Sequence, residues 1–539
     1  MYNAEKGKSV VEYRPSQLYP LLTEYYLLQG RLRSAVPLLL GPPGVGKSTV
    51  SEDSFVQLSN ALVRLAVERG VSFDTLERRA REIAEKCSRD DICSSVYQEI
   101  LRIYDTEEGK RAIEPILKKV PKALKTAEAV KEIYGKDLVR GASVFYDNSI
   151  EKKLYEDSFV IVNLTVSIHE PPDLLGVPVI NDGVMDYASP GWAKALRDSL
   201  LGVLILDEFT NVMNDMLKNA MYSLVLERRS GFIRFNKPIV ATGNMSQHSE
   251  LVDTLPAPLI MGRMALIEVA SPTLKEWTEY MNRKYGERWY KPLAPILDMF
   301  HSITGDVFIA KEERMRNAYS VVPGETKPYP TPRAWECVAT HLYVLSKMKL
   351  DPEEKRERAK NLVISLVGDE NYMIEEVIAE ALVPTGISEE EIERLQEAIE
   401  RWDLEVLKET IHESREALSP SRIEEIIRKL NEVFTQERKP GEELLRSAKK
   451  AFSDLYTSVV KLSYIISRVK ERWDGTCDER ARLLRECMEV IPIPDEDIVQ
   501  DDDDYKKVIV NALVNTFNIM VGDEVRELKE KLDEKCGTE

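Results

Sequence analysis

The chain has 539 residues, 43% of them apolar and 31% charged, an ordinary composition for a chain that folds in water. Length alone suggests about three or four domains. No apolar run approaches the roughly 20 residues that span a bilayer, and a formal net charge of -18 sets the chain as a whole against phosphate backbones, so a general nucleic-acid binder is disfavoured.

The N-terminal stretch MYNAEKGKSVVEYRPSQ has no long apolar core and no small-residue cleavage site, so no signal peptide is expected. Residues 16–29 predict a short helix and residues 35–40 a strand. GPPGVGKST, residues 41–49, follows at once, and a helix opens near Lys47. The order is strand, phosphate loop, helix. From about 52 to 155 the chain turns charged and helical; DTLERRAREIAEKC and DICSSVYQEILRIY both show apolar spacing near ~3.6.

The next strand is FVIVNLTVSI, residues 159–168. In VPVINDGVMDY, Asn-Asp-Gly between two apolar arms predicts a tight hairpin. A short helix at about 191–200 leads into GVLILDEF, a buried strand ending in two carboxylates. A helix at about 213–228 and a second hairpin, SGFIRFNKP, precede the strand IVATGN. Apolar strands alternating with helices predict an α/β fold with a parallel sheet covered on both faces.

After ASPTLKEW the strand signals fade. Residues 272–383 read as mostly helical, with a polar loop around 322–332, and residues 385–539 as helical too. Ile392, Leu395, Ile399 and Trp402 form one stripe, SPSRIEEIIRKL has a serine cap with proline in the first turn, and 443–473 is long and amphipathic. DEDIVQDDDDY reads as a solvated acidic linker. There is no evident internal repeat.

Six cysteines lie far apart: Cys87, Cys93, Cys337, Cys477, Cys487 and Cys536. None forms a C-x-x-C pair, which argues against a zinc site. Cys87 continues the helical stripe Leu76, Ala80, Ile83 and reads as core. Free thiols in a reducing cytosol fit the whole set, so a cytoplasmic location is expected.

Gly41 to Ser48 match G-x-x-x-x-G-K-[ST] completely. The candidate nucleotide-binding residues are Gly41, Pro42, Pro43, Gly44, Val45, Gly46, Lys47, Ser48 and Thr49. Backbone N–H groups of such a loop wrap phosphates, helped by the positive helix end. Lys47 would reach the β- and γ-phosphates, and Ser48 would hold Mg²⁺. Asp207, ending VLILDE, is the second metal candidate, binding the ion directly or from behind its first ligands. Glu208 stands where a carboxylate can activate a water for attack on the γ-phosphate. A kinase needs no base for water, so the acidic pair favours hydrolysis. Asn244, at the end of IVATGN, is the candidate for orienting that water.

Taken in order, GPPGVGKS, EPPDLLGVPVINDG, LILDEFTNV, LVLERRSGFIRF, IVATGNMS, LPAPLIMGRM and YPTPRAWE resemble the AAA+ ATPases and, within them, the MoxR-like branch. The likeness runs over roughly residues 16–50 and 157–383. The first and third motifs are generic to P-loop proteins; DLLG with its hairpin, and TPRAW, are more particular to the branch.

The resemblance implies an AAA+ P-loop parallel sheet with a helical lid. It also implies a ring, commonly a hexamer, whose ATP sites are shared between neighbours. In its terms Asn244 is sensor 1, Arg333 is sensor 2, and Arg263 is the finger that reaches a neighbour's γ-phosphate, with Arg228 and Arg229 as rivals. The family usually has Phe after the finger; here Met264 stands there. The segment 170–190 looks like the branch's insertion in helix 2, a hairpin facing the pore or the substrate. Tyr187 and Trp192 then either meet a client or pack their own hairpin, and His169 reads as structural.

The domains expected are residues 1–50 with 156–270 as the AAA+ nucleotide-binding domain, 51–155 as a helical insertion, 271–383 as the helical lid and 384–539 as a C-terminal helical domain. The insertion is expected on the edge away from ATP, as a client or assembly module whose deletion spares nucleotide binding. The function expected is ATP hydrolysis with Mg²⁺ that drives remodelling or chaperone-like assembly of a protein client. A partner carrying a von Willebrand factor A domain fits the resemblance, and no membrane is involved. The alternatives are a DNA-processing AAA+ motor, which the acidic balance disfavours, and a nucleotide-gated scaffold with little turnover.

Overall fold

A computed structural model describes residues 11–32, 35–212, 214–244, 262–294, 296–298, 330–368 and 374–383, with isolated residues at 328 and between 394 and 458. The chain divides into two compact units, one of Met1–Pro272 with Met315–Val321, the other of Thr273–Arg314 with Val322–Glu539. Most of the polar loop expected around 322–332, the segment LPAPLIM, the acidic linker and the helical stripes expected beyond residue 384 lie outside the continuously described residues.

The first unit opens with β1 (Val11–Tyr13), α1 (Pro15–Leu32), β2 (Val36–Leu40) and α2 (Lys47–Glu68). Next come α3 (Glu77–Arg89), α4 (Asp91–Tyr104), α5 (Glu107–Leu117), α6 (Val120–Tyr134), β3 (Val139–Arg140), β4 (Ser143–Phe145) and β5 (Phe159–Thr165). The rest is α7 (Pro171–Leu175), β6 (Val177–Asn181), β7 (Val184–Ala188), α8 (Gly191–Asp198), β8 (Leu201–Asp207), α9 (Asp215–Tyr222), β9 (Arg229–Ser230), β10 (Ile233–Arg234), β11 (Ile239–Gly243) and β12 (Met264–Val269).

Eight strands form one sheet in the order β1-β12-β2-β11-β8-β5-β4-β3. Every neighbouring pair in it is parallel except β3 with β4. The strand sequences VPLLL, LGVLILD and IVATG are apolar almost throughout because both faces of the sheet are covered. Alternate residues serve opposite faces: Val203 and Ile205 join the core built with α1 to α6, while Leu204 and Leu206 join the core built with α8 and α9. The fold class is thus α/β with a mostly parallel sheet.

Residues 51–155, expected as a helical insertion, are not helical throughout. They contain β3 and β4, and β4 extends the sheet in parallel beside β5. Ala80, Ile83, Val96, Ile100, Ile113, Leu117 and Leu124 are buried in one cluster with Phe55, Leu58 and Leu62 of α2 and with Ile161 and Val203 of the sheet. Removing this region would take away most of α2 itself together with the helices packed on it, so a clean deletion is not available.

The cysteines correct a second expectation. Cys87, at the end of α3, and Cys93, at the start of α4, are joined in a disulfide, and both are buried. The turn between the helices makes this possible: the Asp90 side chain caps α4 by accepting the Cys93 N–H at 2.9 Å. Cys337 is a free thiol, and Cys477, Cys487 and Cys536 lie outside the described residues.

In the second unit, α10 (Leu274–Tyr285) opens on a capping box: Thr273 N–H donates to the Glu276 carboxylate at 2.8 Å, and Glu276 N–H to Thr273 Oγ1 at 3.2 Å. α11 (Pro332–Lys347) is capped by Thr331, whose Oγ1 accepts the Ala334 N–H at 3.0 Å. Trp277 Nε1 donates to the Pro332 carbonyl at 3.1 Å and ties the two helices. α12 (Pro352–Val367) packs against α11 and against α13 (Ile374–Leu382). Among the described residues no helix is long and apolar enough to cross a membrane.

Candidate functional site

The strands β2, β11 and β8 lie side by side, and the register brings their carboxyl ends level: Leu40 pairs with Gly243, and Leu206 with Ala241. Beyond that edge lie the loop from Gly41, then Asn244, then Asp207 and Glu208. Crevices outside the carboxyl ends of parallel strands are where such sheets bind ligands.

The loop turns into α2 at Gly46, which caps the helix at φ 93°, a left-handed conformation that a side chain disfavours. Lys47 is therefore the first helical residue, and it is buried. Its ammonium donates to the carbonyls of Gly41 at 2.8 Å and Pro42 at 2.7 Å, and to Asn244 Oδ1 at 3.2 Å. The apolar strand and the loop bury the stem while carbonyls satisfy the charge, the usual condition for burying a lysine.

Ser48 Oγ donates to Asp207 Oδ1 at 2.8 Å. The Thr242 hydroxyl, from the neighbouring strand β11, donates to the same oxygen, and Glu208 N–H reaches it at 3.1 Å. Hydroxyl and carboxylate oxygens converging at one edge are hard donors of the kind Mg²⁺ takes. This donor set fits that ion and is ill suited to a soft metal.

Glu208 adopts φ 55°, and its side chain is exposed at the edge of the sheet. A non-glycine residue held in the left-handed region costs on the order of 1 kcal/mol or more and tends to cluster at functional sites. Here the conformation is the start of a short turn in which Asn211 N–H donates to the Glu208 carbonyl at 2.9 Å. The Ser167 hydroxyl, just past β5, donates to the Glu208 carboxylate.

Asn244 is clamped from behind. Thr210 Oγ1 accepts the Asn244 N–H at 2.9 Å and donates to the Asn244 carbonyl at 3.2 Å. A β-carbon on Gly243 would come within 2.5 Å of the Thr210 methyl, so only glycine lets Thr210 close on this strand end.

Of the sequence-expected residues, Lys47, Ser48, Asp207, Glu208 and Asn244 thus meet at one edge. Arg263 does not join them. It is exposed one residue before β12, and its carbonyl accepts the Val36 N–H at 2.8 Å. Met264 pairs with Val36, the first residue of β2. Arg263 therefore stands at the amino edge of the sheet, the length of β2 or about 16 Å of strand away from Gly41. Arg333 is exposed in the first turn of α11, in the second unit. Arg228 is buried at φ 51°, and Arg229 donates to the Gly231 carbonyl and lies 5.6 Å from the centre of the Phe232 ring.

The segment 170–190 forms the expected hairpin, β6 with β7, closed by Asp182 and Gly183 at φ 53° and 77°. Its arms expose Val177, Ile180, Val184 and Met185. Trp192 is buried edge-on to Phe235 and donates to the Asp173 carbonyl at 3.1 Å, so it anchors the hairpin's base. Tyr187 packs edge-on to Phe232 with ring centres 5.1 Å apart. His169 Nδ1 lies 3.5 Å from the Asp173 carboxylate, a local pairing at the start of α7.

The sequence does not single out Thr242, Thr210 or Ser167. A signal existed for the first: a threonine inside the otherwise apolar strand IVATG needs a polar partner when buried. No protein-family model matches the chain, and no curated protein or solved structure matches it either. What the site can do rests on its own donors and acceptors.

Proposed function

We propose that the chain is a Mg²⁺-dependent ATP hydrolase of the AAA+ kind, MoxR-like, which works in a ring, commonly a hexamer, to remodel or assemble a protein client. One observation carries the reading: three adjacent strand ends link Lys47 to Asn244 and Ser48 to Asp207, with Glu208 projecting beside them.

Each residue has a part in that reading. The loop 41–49 and the amino end of α2 cradle the phosphates. Lys47 exchanges its carbonyl partners for phosphate oxygens, which carry more charge. Ser48 and Asp207 hold the ion, which when bound neutralises developing charge on the phosphates. Glu208 accepts the proton of a water whose oxygen bonds to the γ-phosphorus as the bond to ADP breaks. Asn244, already 3.2 Å from the Lys47 ammonium, orients that water.

The ring and the client rest on residues away from the loop. Arg263 is too far from its own loop to serve it, which suits a finger that acts on a neighbouring copy; such a finger is worth roughly 10³–10⁵ in rate. Arg333 is the candidate for touching the nucleotide from the lid. The apolar arms of the β6–β7 hairpin suit contact with a client, and a partner carrying a von Willebrand factor A domain remains part of the proposal.

Nucleotide binding and phosphate release by the purified chain test the reading. Lys47→Ala should abolish both. An intact chain that binds no Mg²⁺-ATP would refute it.

A further inference from the structure

We infer that Thr210 is a positioning residue for hydrolysis, its hydroxyl locking Asn244 to the turn that begins at Glu208; this rests on the proposed ATPase reading. Thr210 lies three residues after Asp207, in the short turn that begins at Glu208. It is 3% exposed, and its environment is the end of β11. That burial would be costly for a hydroxyl without partners.

The hydroxyl accepts the Asn244 N–H at 2.9 Å, and its one proton lies closest to the Asn244 carbonyl at 3.2 Å, with Asn211 Oδ1 a longer alternative at 3.4 Å. A pair of bonds to both backbone groups fixes the Asn244 peptide in rotation as well as in distance. The Asn244 side chain is thereby aimed at Lys47, where Oδ1 accepts at 3.2 Å. At the other end of the same turn, Asn211 N–H holds the Glu208 carbonyl at 2.9 Å, and Glu208 points outward to Ser167. The turn 208–211 therefore sends one side chain into the sheet and another into the crevice. A shift in either end moves both residues that handle the attacking water.

Gly243 shows how closely the fit is made. A β-carbon there would meet Thr210 Cγ2 at 2.5 Å and Oγ1 at 2.7 Å, so the methyl fills the space that the missing side chain leaves. Thr210 thus contributes two separable things: a methyl that packs on Gly243 and a hydroxyl that clamps Asn244.

The two are separated by substitution. Thr210→Val keeps the shape and removes the hydroxyl; Thr210→Ser keeps the hydroxyl and removes the methyl. A misplacement of about 1 Å can cost ~100-fold in rate. Thr210→Val should lower kcat by about 10- to 100-fold while the affinity for a fluorescent ATP analogue with Mg²⁺ changes less than about threefold. Thr210→Ser should keep kcat within about threefold of the wild type. In Thr210→Val the further loss on adding Asn244→Ala should be much smaller than in the wild-type background, because the clamp acts through Asn244.

Wild-type kcat in Thr210→Val, or equal losses of kcat and affinity in both variants, would overturn the assignment and leave the ATPase reading standing. No turnover by the wild-type chain would overturn the ATPase reading, and the assignment with it. Should Thr210→Val not fold, a Thr210→Ser variant with kcat reduced as far as that of Asn244→Ala would refute the hydroxyl's role, and one with near-normal kcat would support it.

Discussion

Ser48 and Asp207 are separated by 159 positions in the chain, yet the serine hydroxyl donates to the aspartate at 2.8 Å. The contact crosses from the first turn of α2 to the last residue of β8, over the end of the intervening strand β11. Two hard oxygens are thus set at the spacing from which both can turn to one small cation. Asp207→Asn should abolish the gain in nucleotide affinity that Mg²⁺ brings, while leaving the weaker binding measured in EDTA. Titration of a fluorescent ATP analogue in both buffers checks this; an undiminished Mg²⁺ effect would count against the metal site.

Arg263 and the phosphate loop occupy opposite edges of one sheet, so the arginine cannot act within its own copy. Arg263→Ala should bind nucleotide normally and turn over slowly. Mixed with Lys47→Ala, which lacks the loop lysine and keeps its arginine, it should recover part of the lost phosphate release. Mixtures that stay as inactive as the separate variants would argue against a shared site.

The disulfide between Cys87 and Cys93 closes a short loop between α3 and α4, with a sequence separation of 6. For a loop of this length the chain-entropy account gives about 2 kcal/mol. Reduction, or Cys93→Ser, should lower the melting temperature of the first unit by a few degrees, read by calorimetry with and without dithiothreitol. A thiol titration that finds Cys87 and Cys93 both reactive in the unreduced, denatured chain would exclude the bond.

Lys237 is largely buried below β11, with Nζ donating to the Ser199 carbonyl at 2.6 Å and to that of Leu200 at 3.3 Å. Burial pushes its ammonium down to about 8, against the pull of Asp198 and Asp157. The unfolded chain keeps that proton up to about 10.5, so between these values the unfolded state binds more protons and stability rises with pH. Below about 8 the full cost of burying the charge is present. The stability of the wild type relative to Lys237→Met should therefore improve from pH 7 to pH 10, as read in urea melts. A difference that does not change with pH would show that the lysine is not perturbed in this sense.

The parts of the site that were legible in the sequence are those that local chain chemistry dictates. Gly41 to Thr49 is a strand end, a turn and a helix start in nine consecutive residues. Asp207 with Glu208, and Asn244, each follow an apolar run that only a buried strand explains. That these ends meet follows from the parallel alternation, but the order that sets β11 between β2 and β8 does not. Thr210 is not legible in the sequence because its role depends on Gly243 and Asn244, 33 and 34 positions on. β3 and β4, of two and three residues, are too short to show an alternating pattern, and they exist as strands only through pairing beside β5. Cys87 and Cys93 fit no motif; the turn capped by Asp90 brings them together.

Glu208 carries the central claim, because binding of ATP needs only the loop and the metal oxygens, whereas its cleavage needs a base for water. The most direct measurement is the fate of ATP on Glu208→Gln, followed by separating bound nucleotide after incubation with Mg²⁺. The account predicts that the variant binds ATP as tightly as the wild type and retains it uncleaved, with turnover reduced by roughly 10²–10⁴. Release of ADP and phosphate at the wild-type rate by Glu208→Gln would contradict it.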